Sequence, residues 1–270
     1  MNVLDLFSGI GGFSLGLERA GMRTVAFCEA NDFCRRVLAH HWPEVPIFND
    51  VRSLTAQRLA ANGIAVDLIA GGFPCQDVSQ AGRGAGLDGE RSGLWHEFAR
   101  LIRELRPDWV IAENVPGLRT LGADRVLDDL EAADYTARPL VVGAWHAGAP
   151  HRRNRVWIVA NAKTVQWAPV ARHQPNRDHA LAVADADAIN GQPGAAERRP
   201  SVQGGEIASR LSEWRAWNGG PPDLSRVDDG LPKGLAESAL GAFGNTLLPQ
   251  IPEIIGRAIM TRYALSSPVL

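Results

Sequence analysis

The chain has 270 residues, and its 28 Lys+Arg and 30 Asp+Glu residues give a formal net charge of −2. With 45% hydrophobic and 21% charged residues, the composition is that of a globular protein, which excludes a disordered chain, a collagen and a coiled coil. Three cysteines without paired spacing predict neither a disulfide framework nor a zinc site, so we expect any cysteine chemistry to be catalytic. No stretch approaches the roughly 18 apolar residues of a membrane span, and no basic segment precedes the apolar start. We therefore expect a soluble cytoplasmic protein without a membrane partner.

Short apolar runs alternate with longer amphipathic runs along the first 160 residues, as is typical of a parallel sheet covered by helices. We predict strands at 3–7, 23–28, 47–49, 67–70 and 109–113, and a hairpin-like pair at 138–143 and 155–160. Helices are predicted at 13–20, 31–40, 94–105 and 124–133. The sequence thus predicts an α/β fold with a doubly wound, mostly parallel sheet of the Rossmann-like type.

The composition and periodicity of the sequence change after residue 160. From 161 to about 240, Ala, Pro, Gly, Asp and Arg dominate with weak periodicity. Beyond that stretch, Ile251, Ile254, Ile255 and Ile259 share one face of an amphipathic helix, which we expect to rejoin the first domain. We predict one domain formed by residues 1–160 plus 241–270, and a second, small and irregular domain at 161–240.

A glycine-rich turn follows the first predicted strand. Gly9, Gly11 and Gly12 allow the backbone to approach a ligand closely at the edge of the sheet, although a merely tight strand-to-helix turn has the same pattern. Ser14 stands at the position of the third glycine in the dinucleotide-binding pattern, so the pattern is incomplete and a pyrophosphate site is less favoured. Glu29 and Asp50 end the next two strands; each alone resembles a solvated loop carboxylate, but together with the turn they could hold an adenosine.

Two further residues at strand ends suggest chemistry. Cys75 stands between Pro74 and Gln76 on the loop after a predicted strand, where active-site residues of such sheets lie. An exposed thiolate at this position would be nucleophilic. By comparison, we expect Cys28 and Cys34 to be structural. Glu113 ends an apolar strand, so its burial predicts a raised pKa and a proton-handling role; the alternative is a carboxylate bound by loop amides.

Five blocks in a fixed order resemble the DNA (cytosine-5)-methyltransferase family. They are DLFSGIGGF (5–13), GGFPCQDVS (71–79), ENV (113–115), GAPHRRNRVW (148–157) and FGNTLLPQ (243–250). Pro-Cys-Gln followed by Glu-Asn-Val is the most specific part of the set. The resemblance covers residues 1–160 and 241–260.

The resemblance implies S-adenosylmethionine as the cofactor and no metal. It places seven residues in the cofactor site: Phe7, Gly9, Gly11, Glu29, Asp50, Pro74 and Asn245. It also implies four catalytic residues: Cys75, Glu113, Arg153 and Arg155. In the family's reaction the cysteine adds to C6 of a cytosine flipped out of double-stranded DNA, the glutamate protonates N3, one arginine, here Arg155, contacts O2 and the other supports the site.

The sequence departs from the family pattern at several positions. His151 replaces the usual Gln of its block, and Ala30 and Val78 stand where bulkier residues are common. The stretch 161–240 takes the place of the target-recognition domain, but is short and gives no target sequence. By analogy with the family we expect a monomer acting on double-stranded DNA. The sequence leaves three settings open: a cognate restriction endonuclease as a partner in the same system, an enzyme that works alone, or a phage enzyme.

Three other functions compete with this interpretation. An RNA cytosine-5 methyltransferase shares the scaffold, but its tRNA-acting branch carries a Cys-Phe-Thr element, and no cysteine follows Cys75 here. A non-catalytic methyltransferase-like partner would be expected to lack the nucleophile or Glu-Asn-Val. A nicotinamide oxidoreductase lacks its third glycine here, and leaves Cys75 unexplained.

Overall fold

A computed structural model of the chain describes residues 1–74, 94–147, 153–163, 242 and 246–266. Seven strands form a single sheet within this part of the chain. They are β1 (Asn2–Leu6), β2 (Arg23–Cys28), β3 (Ile47–Phe48), β4 (Leu68–Gly72), β5 (Trp109–Asn114), β6 (Tyr135–Val142) and β7 (Arg155–Ala162).

The strand order is β3-β2-β1-β4-β5-β7-β6. The first five strands are parallel, whereas β7 runs antiparallel to β5 and β6 antiparallel to β7. The order reverses direction at β1, as in doubly wound sheets, where ligands bind outside the carboxyl ends of the strands. The predicted mostly parallel α/β sheet and its hairpin-like pair are confirmed.

Seven helices accompany the sheet in the described residues. They are α1 (Gly12–Arg19), α2 (Asp32–His41), α3 (Ala56–Ala61), α4 (Leu94–Leu105), α5 (Leu118–Leu121), α6 (Ala123–Ala132) and α7 (Gln250–Ser266). Single 3-10 turns lie at Val51–Ser53 and Ala144–Ala147. The short α3 and α5 were not predicted, because six and four residues show too little periodicity. Strand β6 begins three residues before its predicted start, and β7 runs two residues past its predicted end.

Side-chain caps define where two of the helices begin. The Asn31 side chain accepts hydrogen bonds from the backbone amides of Phe33 and Cys34 at the start of α2. Thr55 caps α3 in the same way through the amide of Arg58. In both helices, the capping side chain accepts hydrogen bonds from first-turn amides that have no partner within the helix.

Each face of the sheet is covered by its own apolar layer. On one face, residues of α3, α4 and α6 pack with Leu4, Leu6 and Ile69. On the other face, Val3, Leu68 and Ile111 pack with residues of α1 and α7. The C-terminal helix thus rejoins the domain that carries the N-terminal strand, as predicted.

The described residues lie within one compact unit formed by Met1–Ala171 and Leu240–Leu270. The predicted second domain at 161–240 falls outside the described residues apart from its first three, and the division of the chain stays a prediction. None of the described helices is long and apolar enough to cross a membrane.

Helices α1 and α7 approach each other through glycine. A Cβ atom on Gly16 would collide with the backbone oxygen of Pro249 and would lie 2.7 Å from Cγ of Pro252. A Cβ on Gly256 would lie 2.8 Å from Cβ of Ala20. The glycines therefore set the distance between the helix that follows the glycine turn and the helix that follows the FGNTLLPQ block.

We expect Gly16→Ala to destabilise the protein by about 1–3 kcal/mol, because the added methyl group meets backbone that cannot move freely. In an exposed helix the same change would stabilise by about 1 kcal/mol, so the sign of the effect tests the packing. Urea unfolding of both proteins measures it. Leu15→Ala in the same helix is the control, since Leu15 is exposed and should change stability little. A stabilised Gly16→Ala variant would contradict the close approach.

Candidate functional site

The carboxyl ends of five parallel strands meet at one edge of the sheet. The pairing register joins Leu6 at the end of β1 to Cys28 at the end of β2 and to Gly71 near the end of β4. Gly72 in turn pairs with Glu113 at the end of β5. The candidate residues after these strands are therefore brought to one edge, where a doubly wound sheet binds its ligands.

The glycine turn after β1 has a backbone that favours glycine. Gly9 has φ +54° and Gly11 has φ +88°. A Cβ on Gly11 would lie 2.6 Å from Cζ3 of Trp42, whereas a Cβ on Gly9 would meet no atom within 4 Å. Trp42 is held by its Nε1, which donates to both carboxylate oxygens of Glu18 at 3.0 Å. The turn is thus closed on the Gly11 side and open at Gly9.

Phe7, between β1 and the turn, has φ +53° although it is not glycine. Such a backbone costs energy in a bulky residue and is found most often at functional sites. Its ring stacks on Phe98 of α4, with centroids 6.4 Å apart and 23° between the planes. The strained backbone therefore fixes an aromatic ring at the strand edge.

Glu29 connects the glycine turn to the end of β2. Its Oε2 accepts a hydrogen bond from the amide of Gly9, and its Oε1 accepts one from the amide of Asn31, both at 2.7 Å. A carboxylate has about four acceptor sites, so these bonds orient Glu29 and leave capacity for further donors. Asp50, after β3, accepts from the amide of Arg52 at 2.9 Å and is half-buried.

A buried carboxyl group lies beneath the turn. Asp5 is fully buried, and its Oδ2 accepts a hydrogen bond from Oγ of Ser14 at 2.7 Å, while its Oδ1 has no hydrogen-bond partner. Burial raises the pKa of Asp5 from 3.8 to about 7, although the bond from Ser14 opposes this. The serine that breaks the dinucleotide pattern thus connects α1 to β1.

Glu113 and Arg155 form an ion pair at the end of β5. Nε of Arg155 lies 2.9 Å from Oε1 of Glu113, and the two side chains are 22% and 14% exposed. A Cβ on Gly72 would lie 3.0 Å from Oε2 of Glu113, so glycine leaves room for this carboxyl group. Burial raises the pKa of Glu113 from 4.5 to about 7, opposed by Arg155 and then Arg153. A carboxyl group that can donate or accept a proton near neutral pH is suited to general acid chemistry.

Arg153 joins this site to the C-terminal part of the chain. Its Nη2 donates to the backbone oxygen of Thr246 at 2.7 Å, and its backbone has φ +30°. Burial lowers its pKa, assisted by the charge of Arg155. Arg153, two residues before β7, therefore connects the start of that strand to the segment that enters α7, at the residue after Asn245.

Asn114 is a residue of the site to which sequence reasoning gave no role. It is buried, and its Nδ2 donates to the backbone oxygen of Phe73 at 3.1 Å, while its Oδ1 accepts from the amide of Val115 at 2.7 Å. Phe73 directly precedes Pro74 and Cys75. The side chain next to Glu113 thus holds the backbone that leads to the cysteine, and its place in Glu-Asn-Val was the available signal.

Cys75 and Asn245 lie outside the described residues, so their expected roles stay predictions; Pro74, the last described residue before Cys75, is half-buried. Cys28 and Cys34 are buried free thiols, and burial raises their pKa values to about 12 and about 11. Neither is suited to act as a thiolate nucleophile at neutral pH. Both fit the expected structural role.

Comparison with known proteins identifies similar chains. A family model described as C-5 cytosine-specific DNA methylase matches residues 1–196. The chain is 38% identical over 169 residues to Type II methyltransferase M2.BsuMI of Bacillus subtilis, which covers 60% of this chain and 42% of that protein. It is 33% identical over 193 residues to Type II methyltransferase M.AquIA of Picosynechococcus sp., covering 64% of this chain and 77% of that protein.

A solved structure described as a DNA modification methyltransferase encoded within a prophage of Escherichia coli has a similar fold. The TM-score is 0.54 and the sequence identity 31%, with 62% of this chain and 48% of that chain covered. The chain therefore spans less than half the length of two of these three relatives.

The buried Asp5 predicts a pH dependence of stability. Its folded pKa of about 7 lies above the ordinary 3.8, so the folded state holds a proton that the unfolded state loses as pH rises above about 4. The unfolding free energy contributed by Asp5 therefore falls between about pH 4 and pH 7. We expect Asp5→Asn to remove this contribution, so that the variant gains stability relative to wild type between pH 5 and pH 8, as measured by urea unfolding at each pH.

Ser14→Ala is the matched variant. It removes the hydrogen bond that favours the charged form of Asp5, so it should make the loss of stability with rising pH larger. Parallel pH profiles of wild type and Asp5→Asn would show that Asp5 does not titrate in this way.

Proposed function

Because the chain belongs to the C-5 cytosine-specific DNA methylase family, we propose that it transfers a methyl group from S-adenosylmethionine to C5 of cytosine in double-stranded DNA. The observation that carries this proposal is the Glu113–Arg155 ion pair at the strand edge that also holds the glycine turn and Pro74. An acid with a pKa near 7 beside a fixed cation can bind and protonate one edge of a pyrimidine.

The residues of the strand edge fit a nucleoside cofactor. Glu29 is an oriented acceptor for ribose hydroxyl groups, and Asp50 can accept from an adenine amino group. We propose that the ring of Phe7, which stacks on Phe98, borders the same site. Gly9 leaves open space next to the turn, and Gly11 keeps the turn tight. We propose that Pro74 and Asn245 complete this site. S-adenosylmethionine, when bound, supplies the electrophilic methyl group that C5 takes up.

The proposed chemistry assigns one task to each catalytic residue. The thiolate of Cys75 forms a bond to C6 of the cytosine, while Glu113 donates its proton to N3 so that the ring accepts the electron pair. Arg155 contacts O2, where negative charge develops, and Arg153 holds the segment from which Arg155 extends. C5 then forms its bond to the methyl group as the bond from that group to the donor sulfur breaks. A base removes the C5 proton, the electrons of that C–H bond re-form the C5–C6 double bond, the Cys75 thiolate leaves C6, and N3 returns its proton to Glu113.

Access to the base requires that it leave the DNA helix. C6 is stacked inside a duplex, so we propose that the cytosine is flipped out, which costs a few kcal/mol. The basic residues Arg153 and Arg155, with Arg152 beside them in sequence, would face the DNA at this edge. Residues 161–240 are proposed to select the target sequence.

The relatives named as Type II methyltransferases suggest a biological setting. We propose that this chain modifies DNA within a restriction-modification system, with a cognate endonuclease as its partner, and that it acts as a monomer in the cytoplasm with its DNA. Expression in a methylation-deficient bacterium, followed by conversion sequencing of genomic DNA, tests the activity. Methylated cytosines in one short context are expected. An unmodified genome with soluble protein that binds the cofactor would contradict the proposal and favour RNA methylation or a non-catalytic role.

We expect Glu113→Gln to lower kcat by about 10²–10⁴-fold, because glutamine cannot donate the proton to N3. Affinity for a cytosine-containing duplex should change little. In wild type, kcat/KM should fall as pH rises through about 7, since only the protonated carboxyl group acts as the acid. Steady-state methylation and DNA-binding assays measure both. Glu131→Gln on an exposed position of α6 is the control. A loss of DNA affinity with unchanged kcat would contradict the role of Glu113.

Cys75→Ser is expected to abolish methyl transfer while leaving the fold and cofactor binding nearly intact. A duplex with 5-fluorocytosine at the target gives a more direct test. Fluorine at C5 cannot be removed as a proton is, so the elimination that breaks the Cys75–C6 bond does not occur and the covalent complex persists. Wild type with methyl donor should form a denaturation-resistant complex with this DNA, and Cys75→Ser none. Cys34→Ser, which changes a buried thiol, should still form it. Retained turnover in Cys75→Ser would exclude Cys75 as the nucleophile.

A further inference from the structure

The segment that follows β3 carries Asp50 and is folded into a tight turn. The amide of Ser53 donates to the backbone oxygen of Asp50 at 3.2 Å, and the amide of Leu54 donates to that of Val51, also at 3.2 Å. Val51 and Leu54 are buried in the apolar layer on the α4 face of the sheet. Their side chains anchor the inner side of the segment, whereas Asp50 is half-buried at its start.

Arg100 of α4 binds this segment, although it lies 49 residues from Val51 and 46 residues from Leu54 in the sequence. Its Nη2 donates to the backbone oxygens of both Val51 and Leu54, each at 2.9 Å. The carbonyl groups of the first residue of the turn and of the residue that follows it are therefore bound to a single guanidinium group. The planar, fixed geometry of arginine makes such a double contact directional.

Two glutamates on the same helix orient the guanidinium group. Nε of Arg100 donates to Oε2 of Glu97 at 2.7 Å, and its Nη1 donates to Oε1 of Glu104 at 2.6 Å. Oε2 of Glu104 also accepts from the amide of Ala56 in the first turn of α3, at 3.0 Å. Each nitrogen of Arg100 is used, and the three charged side chains are about 28–32% exposed. These contacts join α4 to two neighbouring segments, whereas an isolated surface ion pair joins only two side chains and contributes little to stability.

The same helix contacts the neighbouring parts of the site. Phe98 stacks on Phe7, and Phe73 lies against Trp95 and Phe98 with ring centroids 5.2 Å and 6.5 Å away. Helix α4 thus touches the residues that follow β1, β3 and β4. Arg100 supplies its polar contact to the β3 segment, next to the carboxylate proposed to bind adenine.

We propose that Arg100 is a positioning residue of the cofactor site, which holds the 50–54 segment on α4 and so fixes the Asp50 carboxylate for the adenine amino group. The inference rests on the proposed function, because it assigns Asp50 to a nucleoside cofactor. Arg100 itself does not touch the cofactor. Its contribution passes through the backbone of Val51 and Leu54.

The test is a double-mutant cycle read by binding rather than turnover. Calorimetric titration with S-adenosylhomocysteine gives Kd for wild type, Arg100→Ala, Asp50→Ala and the double variant. Arg100→Ala should weaken binding about tenfold. In the Asp50→Ala background the same change should weaken it less than about twofold, because residues that act through one contact are not additive. Arg100→Lys, which keeps the charge but loses the planar fork, should give an intermediate loss.

Arg106 provides the matched control. It follows α4, and donates to the backbone oxygen of Ala133 at 2.8 Å and to Oδ2 of Asp134 at 3.4 Å, away from the strand-end edge. Thermal unfolding without ligand should show a smaller loss for Arg106→Ala than for Arg100→Ala, because Arg106 makes fewer contacts, and Arg106→Ala should leave Kd unchanged. An analogue with hydrogen in place of the 6-amino group adds a second readout, since Arg100→Ala should change its Kd less than about twofold if Asp50 carries the effect.

The outcomes separate the two proposals. Wild type that fails to bind S-adenosylhomocysteine contradicts the proposed function and this inference with it. Wild-type binding with an unchanged Kd in Arg100→Ala and Arg100→Lys overturns the inference alone. Equal losses for Arg100→Ala with and without Asp50 would also overturn it, because Arg100 would then act independently of Asp50.

Discussion

The largely buried carboxyl group of Glu113 is the constraint on which the architecture of the site depends. A carboxylate that is 14% exposed at the end of a central strand needs a cation and room, or it must hold a proton. Gly72 on the neighbouring strand gives the room, since any side chain there would contact Oε2. The cation comes from Arg155, the first residue of β7. Because β7 runs antiparallel to β5, its beginning lies at the carboxyl end of β5, whereas a parallel strand would bring its last residues there. The reversed hairpin at the end of an otherwise parallel sheet is therefore what delivers an arginine to the strand edge.

The half of the site that is proposed to bind a nucleoside is organised by carboxyl groups in a different way. Glu29 binds two backbone amides, one from the glycine turn and one from the start of α2, so it is oriented before any ligand is present. Asp5 lies beneath the same turn and binds Ser14 of α1. Glu29 thus binds the turn itself, whereas Asp5 binds the helix that follows the turn. Such fixed donors and acceptors reduce the ordering that binding would otherwise require.

Much of this could be predicted from the sequence, because the signals were local and strong. The periodicity gave β2 and α4 to the residue, and glycine and acidic residues at strand ends indicated the edge where a ligand would bind. What could not be predicted depends on long-range pairing. The ion pair of Glu113 with Arg155, the bond from Asn114 to Phe73 and the contact of Arg153 with Thr246 join residues about 40 to 90 positions apart. The resemblance implied that Glu113, Arg153 and Arg155 act in one site, but it gave none of these contacts, which depend on the pairing of the strands and on the packing of the segment that enters α7. Helices α3 and α5 were missed because tertiary contacts and caps, rather than periodicity, stabilise such short segments.

Helix α4 links the two halves of the site. It presents Phe98 to Phe7 and to Phe73, it presents Trp95 to Phe73, and it binds the 50–54 segment through Arg100. Asn114 donates to the backbone oxygen of Phe73. It lies on β5, which pairs with β4 and also carries Glu113. Phe73 is thus held by an aromatic layer on one side and by an amide on the other, one residue before Pro74. A shift of α4 would therefore move two parts of the site together: the Phe98 ring that stacks on Phe7, and the backbone at Phe73 that leads to Cys75. Since packed interiors deform little, the proposed cofactor and nucleophile sites share one rigid support rather than two independent ones.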